Sequence, residues 1–390
     1  MEQNILARRV AKVLPDAAGL QEQMNERKIR VYLGIDPTGG HLHIGHAIGI
    51  KKLAEFSEAG HEAILLFGTG TVLVGDPSQR DNAREAISPE TIEANIQTWK
   101  DQVAPIVNFD KVQIKQNGDW IEKLGIKDII NIASHISAVQ LFKRDNFERR
   151  LSRGDTVWYH ETMYPLLQGY DSVVMDVDLE IGGTDQEFNM LIGRELQKKM
   201  NSREKFVLTT PMINGTDGQP MSKTSGNCVW LDDEAAEMFG KLMSVPDDQI
   251  IPYLELCTDV PLEEINSLTE QLKSGANPKD VKARMAHEIT KIWHDEESAS
   301  RARDEFNSRF SEGKLPDDIQ IHPHSIKMGV SLDTAQLLVD TGLAASKSEA
   351  RRLIEQGGVR LNQAVVKDAQ ISVNAGDVLQ AGKRRFIRLG

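Results

Sequence analysis

Short apolar runs alternate with longer amphipathic segments through the first half of this chain of 390 residues. The apolar runs at 30–35, 63–67, 112–114 and 172–176 predict four β-strands. The segments between them are long enough for helices, and strands that alternate with helices are typical of a parallel sheet. We therefore predict that the first half of the chain is an α/β domain built around a parallel sheet.

After Trp230 the pattern changes to one that is typical of helices. The clearest signal is Asn277, a good N-cap residue, followed by Pro278, which favours the first helical position. Apolar residues then recur every three or four positions from Val281 to Ile292, so they share one helical face. We predict a helical domain in this part of the chain.

The C-terminal segment differs from the rest of the chain in charge. From Lys347 to the end, nine basic residues stand against four acidic ones, a net charge of +5 within a chain of net charge −12, so the remainder carries −17. An acidic protein that binds nucleic acid needs such a local basic patch. A stretch at 311–325, rich in Gly, Pro and Asp, predicts a linker before it. We expect three domains, at 1–229, 230–324 and 325–390.

Composition limits the classes of protein that the chain can belong to. Charged residues make up 27% and hydrophobic residues 40%, which is typical of globular proteins. No stretch has the roughly 20 apolar residues of a membrane helix. The first thirty residues contain four acidic residues and no continuous apolar run of signal-peptide length, so they predict no secretory signal. Two cysteines, Cys228 and Cys257, are too few for a disulfide framework or a four-cysteine zinc site. We expect a cytoplasmic protein that binds no membrane and has no metal site of its own.

One segment combines a predicted strand end, a loop and a helix start. Residues 32–46 read YLGIDPTGGHLHIGH, and the first turn of a helix exposes backbone N–H groups that favour a phosphate. Gly45 has no side chain, so a nucleotide can approach the backbone closely, and His43 and His46 flank it on one face. Alone, the two histidines could equally be a solvent-exposed helix face or half of a metal site.

A second segment, PMSKTSGN at 220–227, places a lysine in a small loop that is flanked by glycines. The ammonium of Lys223 is a point charge on a flexible stem that can reach a phosphate; alone, the segment is an ordinary polar turn. Together, the two segments resemble the HIGH and KMSKS signatures of class I aminoacyl-tRNA synthetases. The resemblance implies that Lys223, His43 and His46 share the charge of the triphosphate of ATP. It also implies that Pro220 replaces the first lysine of the signature.

Four motifs resemble those of tyrosyl-tRNA synthetases, over nearly the full chain: YLGIDPT at 32–38, GDPSQR at 75–80, YPLLQGYD at 164–171 and IGGTDQEFN at 181–189. The resemblance implies a Rossmann-like catalytic domain, a helical anticodon-binding-type domain and a small α+β domain of the S4 type, in that order. The implied activity is the ligation of L-tyrosine to tRNA(Tyr), with ATP as a substrate and Mg²⁺ carried by the ATP.

The resemblance also implies positions for the tyrosine substrate. Tyr32 and Asp171 match the residues that hold the phenol hydroxyl. Discrimination against phenylalanine needs such a buried polar contact, and this enzyme family is the standard example of that effect. The matches for the amino group and the aminoacyl portion are Tyr164, Gln168, Asp76 and Gln186. Without the resemblance, Tyr164 and Gln168 would be interpreted as a helix surface pair and Asp76 as a turn residue.

Further matches concern the nucleotide. Thr38 corresponds to a contact of the terminal phosphate, and Arg80 and Arg84 to a mobile loop over pyrophosphate; a solvated loop is the alternative for the two arginines. The residues expected to bind ATP besides Lys223 are Gly34, Gly45 and Asp185. Asp185 could otherwise be a helix cap. Asp36 belongs to the motif, but its chemistry assigns it no role.

The segment from about residue 331 resembles an S4-type RNA-binding domain, most specifically in SKSEARRLIEQGGVRLN at 346–362. On the predicted helix, like charges four residues apart repel unless an anion lies beside them. The residues expected to bind RNA are Lys347, Arg351, Arg352, Lys383, Arg384 and Arg385. A solvated basic face is the alternative, and the expected partner is tRNA.

Three other functions remain open at this point. A tryptophanyl-tRNA synthetase shares the HIGH-type fold, and a noncatalytic RNA-binding protein could keep the same scaffold. A dehydrogenase is suggested by GTGTVLVG at 68–75, but Leu73 stands where the third glycine of the dinucleotide motif belongs. The resemblance also implies a homodimer, with the segment 136–150 expected at the contact.

Overall fold

The computed structural model describes residues 5–77, 88–222, 225–311, 319, 321–322, 331–382 and 385–389. The chain divides into two compact units, residues 1–303 and 304–390. The predicted boundary at 229/230 lies inside the first unit and stays a prediction. Most of the linker predicted at 311–325 lies outside the described residues.

A six-stranded sheet forms the centre of the first unit, in the order β1-β6-β5-β2-β3-β4. Its strands are β1 (Lys12–Leu14), β2 (Arg30–Ile35), β3 (Glu62–Phe67), β4 (Val112–Gln116), β5 (Leu179–Gly183) and β6 (Phe206–Thr210). All neighbouring strands are parallel except the edge strand β1, which pairs antiparallel with β6. The predicted parallel sheet is therefore confirmed, with strands at 30–35, 63–67 and 112–114 as expected.

The topology of the sheet predicts where a ligand site lies. The chain runs from β2 through β3 to β4 on one side and then returns to β5 and β6 on the other. Ligands of open α/β sheets bind beyond the carboxyl ends of the strands at such a switch point. Here that position lies beyond Ile35 of β2 and Gly183 of β5.

Helices and short turns connect these strands. The helices of this part are α1 (Ala17–Glu26), α2 (Ile44–Glu58), α3 (Pro89–Val103), α4 (Gly118–Ile121), α5 (Ile126–Ser134), α6 (Ala138–Phe142), α7 (Asp145–Ser152), α8 (Tyr164–Met175) and α9 (Glu187–Asn201). The helix expected from 44 is confirmed as α2. The helix expected near Asp185 begins at Glu187, after a 3₁₀ turn over Thr184–Gln186.

The strand predicted at 172–176 is wrong. These residues form the last turn of α8, and Asp176 ends the helix in a left-handed conformation with φ of 50°. Ser172 and Met175 are buried while Val174 is 41% exposed, which is a helical pattern of burial. The apolar run fits a strand by composition, but the strand of this region is β5, three residues after the helix cap.

Between residue 230 and residue 311 helices replace strands, as predicted: α10 (Ala235–Ser244), α11 (Ile250–Cys257), α12 (Leu262–Lys273), α13 (Pro278–Trp293) and α14 (Glu296–Ser311). The side chain of Asn277 caps α13 by accepting a hydrogen bond from the backbone N–H of Lys279 at 3.1 Å. Val281, Met285 and Ile289 are buried on one face of α13. Within the described ranges, every helix is too short or too polar to cross a membrane.

The second unit is a small α+β domain. It contains α15 (Thr334–Asp340), α16 (Lys347–Glu355), β7 (Ile321–His322), β8 (Ser331–Asp333), β9 (Val359–Leu361), β10 (Ala364–Val365), β11 (Gln370–Ser372), β12 (Val378–Ala381) and β13 (Arg385–Leu389). Ser346 caps α16, as its position before an acidic third residue predicts. Leu338, Ala350, Val359 and Leu379 are fully buried, so the unit has its own core.

Helices α8 and α9 pack closely at two glycines, and this packing gives a test of the fold. A Cβ atom at Gly169 would lie 2.8 Å from Leu196 Cδ1 and 3.0 Å from Gly193 Cα. We expect Gly169→Ala to cost about 1–3 kcal/mol through overpacking and to lower the thermal midpoint by roughly 2–10 °C.

Gly240→Ala is the matched control, because Gly240 also lies in a helix but a Cβ there has no neighbour within 4 Å. Alanine should be neutral or stabilise that helix by up to about 1 kcal/mol. Equal midpoints for the two variants, measured by thermal unfolding, would contradict the close helix contact.

Candidate nucleotide and amino-acid site

The first turn of α2 has the geometry that the histidine motif predicts. His43 is the N-cap residue, and its backbone N–H donates to Nδ1 of His46 at 3.2 Å. The two imidazole rings lie with centroids 3.8 Å apart. A Cβ at Gly45 would lie 3.0 Å from Nδ1 of His43, so glycine keeps this turn open.

Backbone hydrogen bonds join this helix start to a distant part of the chain. The N–H of Ile44 donates to the carbonyl of Val229 at 2.9 Å, and the N–H of Leu231 donates to the carbonyl of Leu42 at 2.8 Å. His43 and Trp230 form a β-bridge between these bonds. The chain directly after the segment 220–227 is thereby held against the start of α2.

Asn227 organises the loop that the second motif predicts. Its side-chain NH₂ lies 2.8 Å from Asp217 Oδ1 and 3.0 Å from the carbonyl of Pro220. Its Oδ1 accepts from the backbone N–H of Ser222 at 3.0 Å and from the hydroxyl of Ser225 at 2.6 Å. Sequence reasoning missed this role, because its partners are mostly backbone atoms or exposed polar groups.

The loop reaches the histidine motif. Met221 Sδ lies 4.0 Å from the position that a Cβ would take on Gly45, so the described part of the loop lies close to the first turn of α2. Lys223 itself lies outside the described residues, as do Arg80 and Arg84. The structure thus brings together His43, Gly45, His46 and the segment that leads to Lys223.

Helix α3 supports the loop between β2 and α2. Trp99 Nε1 donates to the carbonyl of Gly39 at 2.7 Å, and Asn95 donates to the carbonyl of Pro37 at 3.0 Å. Gln102 contacts the next part of the loop, donating to the carbonyl of Gly40 at 2.7 Å and accepting from the N–H of Leu42 at 2.8 Å. Asn95, Trp99 and Gln102 are spaced by four and three residues, which indicates that they share one face of α3. The spacing does not indicate which loop this face contacts.

The residues predicted to bind a phenol hydroxyl lie on β2 and α8. The hydroxyl of Tyr32 is 3.0 Å from Oγ of Ser172. The carboxylate of Asp171 accepts from Trp120 Nε1 at 2.9 Å and from Asn117 Nδ2 at 3.0 Å. Asn117 and Trp120 are further residues that sequence reasoning missed.

Asp36, which had no predicted role, connects several of these residues. Its two oxygens accept hydrogen bonds from Thr71 Oγ1 at 2.7 Å and from the hydroxyl of Tyr164 at 3.0 Å. A Cβ at Gly68 would lie 1.9 Å from Asp36 Oδ1, so only glycine leaves room for this carboxylate. Asp36 therefore holds Tyr164 at the carboxyl end of β2.

Burial shifts the titration of three of these groups. It raises the pKa of Tyr32 well above the ordinary value, with the nearby carboxylates Glu180 and Asp171 as further causes. It likewise raises the pKa of Tyr164, together with Asp36, and that of Asp171, although the donors Asn117 and Trp120 oppose the shift of Asp171. Both tyrosines are therefore hydroxyl donors at neutral pH.

A chain of amides and carboxylates links the residues predicted for an amino group. Asn189 Nδ2 donates to Oε1 of Gln168 at 2.9 Å and to Oε1 of Gln186 at 3.0 Å. Gln186 Nε2 donates to Asp76 at 2.8 Å and lies 3.0 Å from Asp185. Asp76 also pairs with the buried Arg144 at 3.2 Å.

The remaining predicted residues of this site lie at its margin. Gly34 is exposed on β2, next to the ring of Tyr32. Thr38 is half-buried and donates its backbone N–H to the carbonyl of Asp36 at 2.7 Å. The structure thus gathers the predicted amino-acid residues and the histidine motif around the carboxyl ends of β2 and β5.

The basic residues predicted for RNA lie in the second unit. Lys347, Arg351 and Arg352 are exposed on α16. Arg385 of β13 pairs with Glu349 of the same helix at 3.0 Å, which places part of the second basic cluster beside the first. Lys383 and Arg384 lie outside the described residues.

Comparisons with known proteins find two family models in the chain. The model of class I tRNA synthetases for tryptophan and tyrosine matches residues 24–311, and the S4 domain matches residues 335–379. A tyrosine–tRNA ligase of Burkholderia lata is 42% identical over 363 residues, 93% of this chain and 87% of the relative. That of Thermotoga maritima is 38% identical over 389 residues, 99% of this chain and 96% of the relative.

Solved structures agree in fold. A C-terminally truncated mitochondrial tyrosyl-tRNA synthetase of Aspergillus nidulans has a TM-score of 0.67 at 23% identity, over 78% of this chain and 93% of that one. A tryptophanyl-tRNA synthetase of Plasmodium falciparum has a TM-score of 0.57 at 14% identity, over 74% and 80%. Since both share the architecture, the fold does not distinguish tyrosine from tryptophan.

The role of Asn227 can be tested by an isosteric change. Asn227→Asp keeps an acceptor for Ser222 but turns an oxygen toward Asp217 and the carbonyls of Gln219 and Pro220. Loss of these donations should raise amide hydrogen exchange in residues 215–222 by about tenfold or more.

Asn201→Asp is the control, because it makes the same change at an exposed side chain that contacts the carbonyl of Val173. It should leave exchange in residues 215–222 unaltered. Unaltered exchange in Asn227→Asp as well would show that Asn227 does not hold the loop.

Proposed function

Since this chain belongs to the class I tRNA synthetases for tryptophan and tyrosine, we propose how its residues divide the work of a tyrosine–tRNA ligase. Its activity is the ATP-dependent ligation of tyrosine to tRNA. In the first step the carboxylate of tyrosine attacks the α-phosphate of ATP, which gives tyrosyl-adenylate and pyrophosphate. In the second step the tyrosyl group passes to the terminal ribose of the tRNA, which we propose to be tRNA(Tyr).

The start of α2 is the proposed triphosphate site. His43 and His46 donate to phosphate oxygens, Gly45 admits the nucleotide, and Lys223 approaches from the adjacent loop. The closeness of Met221 to Gly45 is the observation that carries this proposal, because Lys223 is only two residues further along the chain. Catalysis is then positioning and stabilisation of phosphate charge, without a covalent protein intermediate.

Further residues complete the proposed nucleotide site. Thr38 contacts the terminal phosphate, Arg80 and Arg84 cover the pyrophosphate, and Asp185 with Gly34 lies toward the ribose and base. Mg²⁺ enters with ATP and is held mostly by the phosphates, since a hard cation prefers oxygen ligands.

Tyrosine lies, in this proposal, between β2 and α8. Tyr32 and Asp171 hold its phenol hydroxyl, one as donor and the other as acceptor. The ammonium group is bound by oxygens of Tyr164, Gln168 and Asp76, with Gln186 beside the aminoacyl portion. The support is that the six side chains belong to two hydrogen-bond networks of the site. One runs from Tyr32 by way of Gln168 to Asp76 and includes Gln186. The other joins Asp171 to Tyr164.

We also propose that α16 contacts the tRNA backbone. Lys347, Arg351 and Arg352 are exposed on it, and Arg385 pairs with Glu349 of the same helix. Lys383 and Arg384, which precede Arg385 in the sequence, are proposed to contact the RNA as well. Phosphates would offset the repulsion among these charges and release counterions on binding. The S4 match to residues 335–379 includes this helix.

A homodimer is proposed through 136–150 and the preceding helix. Ile126 and Ile130 of α5 and Val139 and Phe142 of α6 are exposed at 73%, 61%, 68% and 38%. Large apolar side chains exposed on two consecutive helices favour a protein contact. A cytoplasmic location would place the enzyme with its tRNA substrate.

ATP–pyrophosphate exchange with each amino acid tests the proposal as a whole. Exchange should depend on tyrosine and be weak with tryptophan and phenylalanine. Exchange with tryptophan alone would contradict the assignment of the pocket, and absence of exchange with all three would favour a noncatalytic RNA-binding protein.

Replacement of Lys223 tests the nucleotide site. We expect Lys223→Ala to lower the rate of adenylate formation by about 10² to 10³, because a donor to the developing charge is lost, while tyrosine affinity changes little. Pre-steady-state kinetics measure both quantities. Lys273→Ala, at an exposed lysine of α12, should keep the original rate; a near-normal rate in Lys223→Ala would refute the assignment.

Tyr32 and Tyr164 allow the two ends of the pocket to be tested separately. Tyr32→Phe should lower the preference for tyrosine over phenylalanine by about tenfold, because one hydrogen bond to the phenol is lost. Tyr164→Phe should weaken both amino acids alike and keep the preference. The measure is the ratio of kcat/KM values in pyrophosphate exchange, and equal ratios in the two variants would contradict the proposed orientation.

A further inference from the structure

A buried ion pair lies behind the residues proposed for tyrosine binding. Lys205, directly before β6, bonds through its ammonium to Oε2 of Glu180 in β5. The two side chains are 0% and 2% exposed, and burial lowers the pKa of Lys205. Such a pair contributes little net stability compared with apolar residues of similar size, so stability alone does not account for it.

Lys205 connects the pair to the end of the pocket that is proposed to bind the phenol. Lys205 Nζ donates to Oγ of Ser172 at 2.5 Å, and Ser172 Oγ lies 3.0 Å from the hydroxyl of Tyr32. Because an ammonium can only donate, it occupies one of the two acceptor positions of Ser172 and leaves the hydroxyl hydrogen of Ser172 available to Tyr32. Glu180 Oε2 is a more distant alternative for that hydrogen, at 3.5 Å.

The orientation of Ser172 affects which hydrogen bonds the hydroxyl of Tyr32 donates and accepts. If its oxygen accepts from Ser172, its own proton is left for a second partner. The pKa of Tyr32 is raised by burial and by the carboxylates Glu180 and Asp171, so this proton stays on the phenol. With Ser172 in this orientation, Tyr32 can donate its proton to the phenol hydroxyl of the substrate, complementary to the acceptor Asp171.

Glu180 connects the pair to the end of the pocket that is proposed to bind the amino group. Glu180 Oε1 accepts from Nε2 of Gln168 at 3.1 Å. Since a carboxylate can only accept, the NH₂ group of Gln168 must face Glu180, and its carbonyl oxygen must face the opposite side. That oxygen lies 2.9 Å from Asn189 Nδ2 and keeps a second lone pair for a cation.

We propose that the Lys205–Glu180 pair sets the hydrogen-bond polarity at both ends of the tyrosine pocket, through Ser172 and Tyr32 at one end and through Gln168 at the other. The inference rests on the proposed function. Lys205 and Glu180 are positioning residues, which act through their neighbours and not by touching the substrate.

The test replaces both charges at once, because removal of one would leave the other buried without a partner. In the double variant Lys205→Met, Glu180→Gln, the hydroxyl of Ser172 and the amide of Gln168 are no longer oriented. We expect the KM for tyrosine to rise by about tenfold or more and the preference for tyrosine over phenylalanine to fall by about tenfold. The KM for ATP should stay within about twofold.

The double variant Lys282→Met, Asp247→Asn is the matched control, since Lys282 is also a mostly buried lysine with a carboxylate partner. It should change neither KM. If the Lys205 and Glu180 variant raises the KM for ATP and for tyrosine together, or raises neither, the pair has only a structural role and the proposal is overturned.

The variant Ser172→Ala tests the same proposal if the double variant does not fold. It removes one hydroxyl and leaves the ion pair intact, so the preference for tyrosine should fall by about tenfold with an unaltered KM for ATP. An unaltered preference would overturn the proposal. The wild-type chain separates the two levels of inference: absence of tyrosine-dependent exchange refutes the proposed function, whereas normal exchange with unaltered variants refutes only the role of the pair.

Discussion

Two backbone hydrogen bonds hold the start of α2 against the chain that follows the loop at 220–227. They join Ile44 to Val229 and Leu42 to Leu231, residues that are far apart in sequence. They bring together the histidines and the loop, which follow different strands of the sheet. With them, a turn that exposes N–H groups and a loop that carries a lysine approach one another, which is the requirement for binding a single triphosphate.

The amino-acid part of the site depends on a different constraint. Its polar groups are buried between β2, β5 and α8, where each donor needs an acceptor. Asp36 and Asn117 provide such partners around Tyr164 and Asp171, and the pair of Lys205 with Glu180 does so around Tyr32 and Gln168. Discrimination by hydroxyl groups requires this rigidity, because a pocket that could reorganise would also accept phenylalanine.

The sequence could predict what is local in this molecule. Strands and helices have a hydrophobic period, and the caps at Asn277 and Ser346 lie within a few residues of the N–H groups that they satisfy. The strand predicted at 172–176 was wrong because an apolar segment of that length fits a strand as well as the end of a helix.

The supporting residues could not be predicted in the same way. Trp99 and Asn227 bind mainly backbone carbonyls or N–H groups, which any residue type at the partner position provides. Asn117 contacts Asp171 across 54 positions of sequence, and Lys205 contacts Glu180 across 25. The sequence motifs identify groups that face substrate, whereas the contacts that orient those groups depend on the completed sheet.

The central claim is that groups far apart in the chain meet around one nucleotide. Its most direct test is a crystal structure of the chain with tyrosine and a non-hydrolysable ATP analogue. We expect the imidazoles of His43 and His46 and the ammonium of Lys223 within about 3.5 Å of phosphate oxygens of the same molecule. An ordered Lys223 that points away from the nucleotide, with the triphosphate bound elsewhere than at the start of α2, would contradict the account.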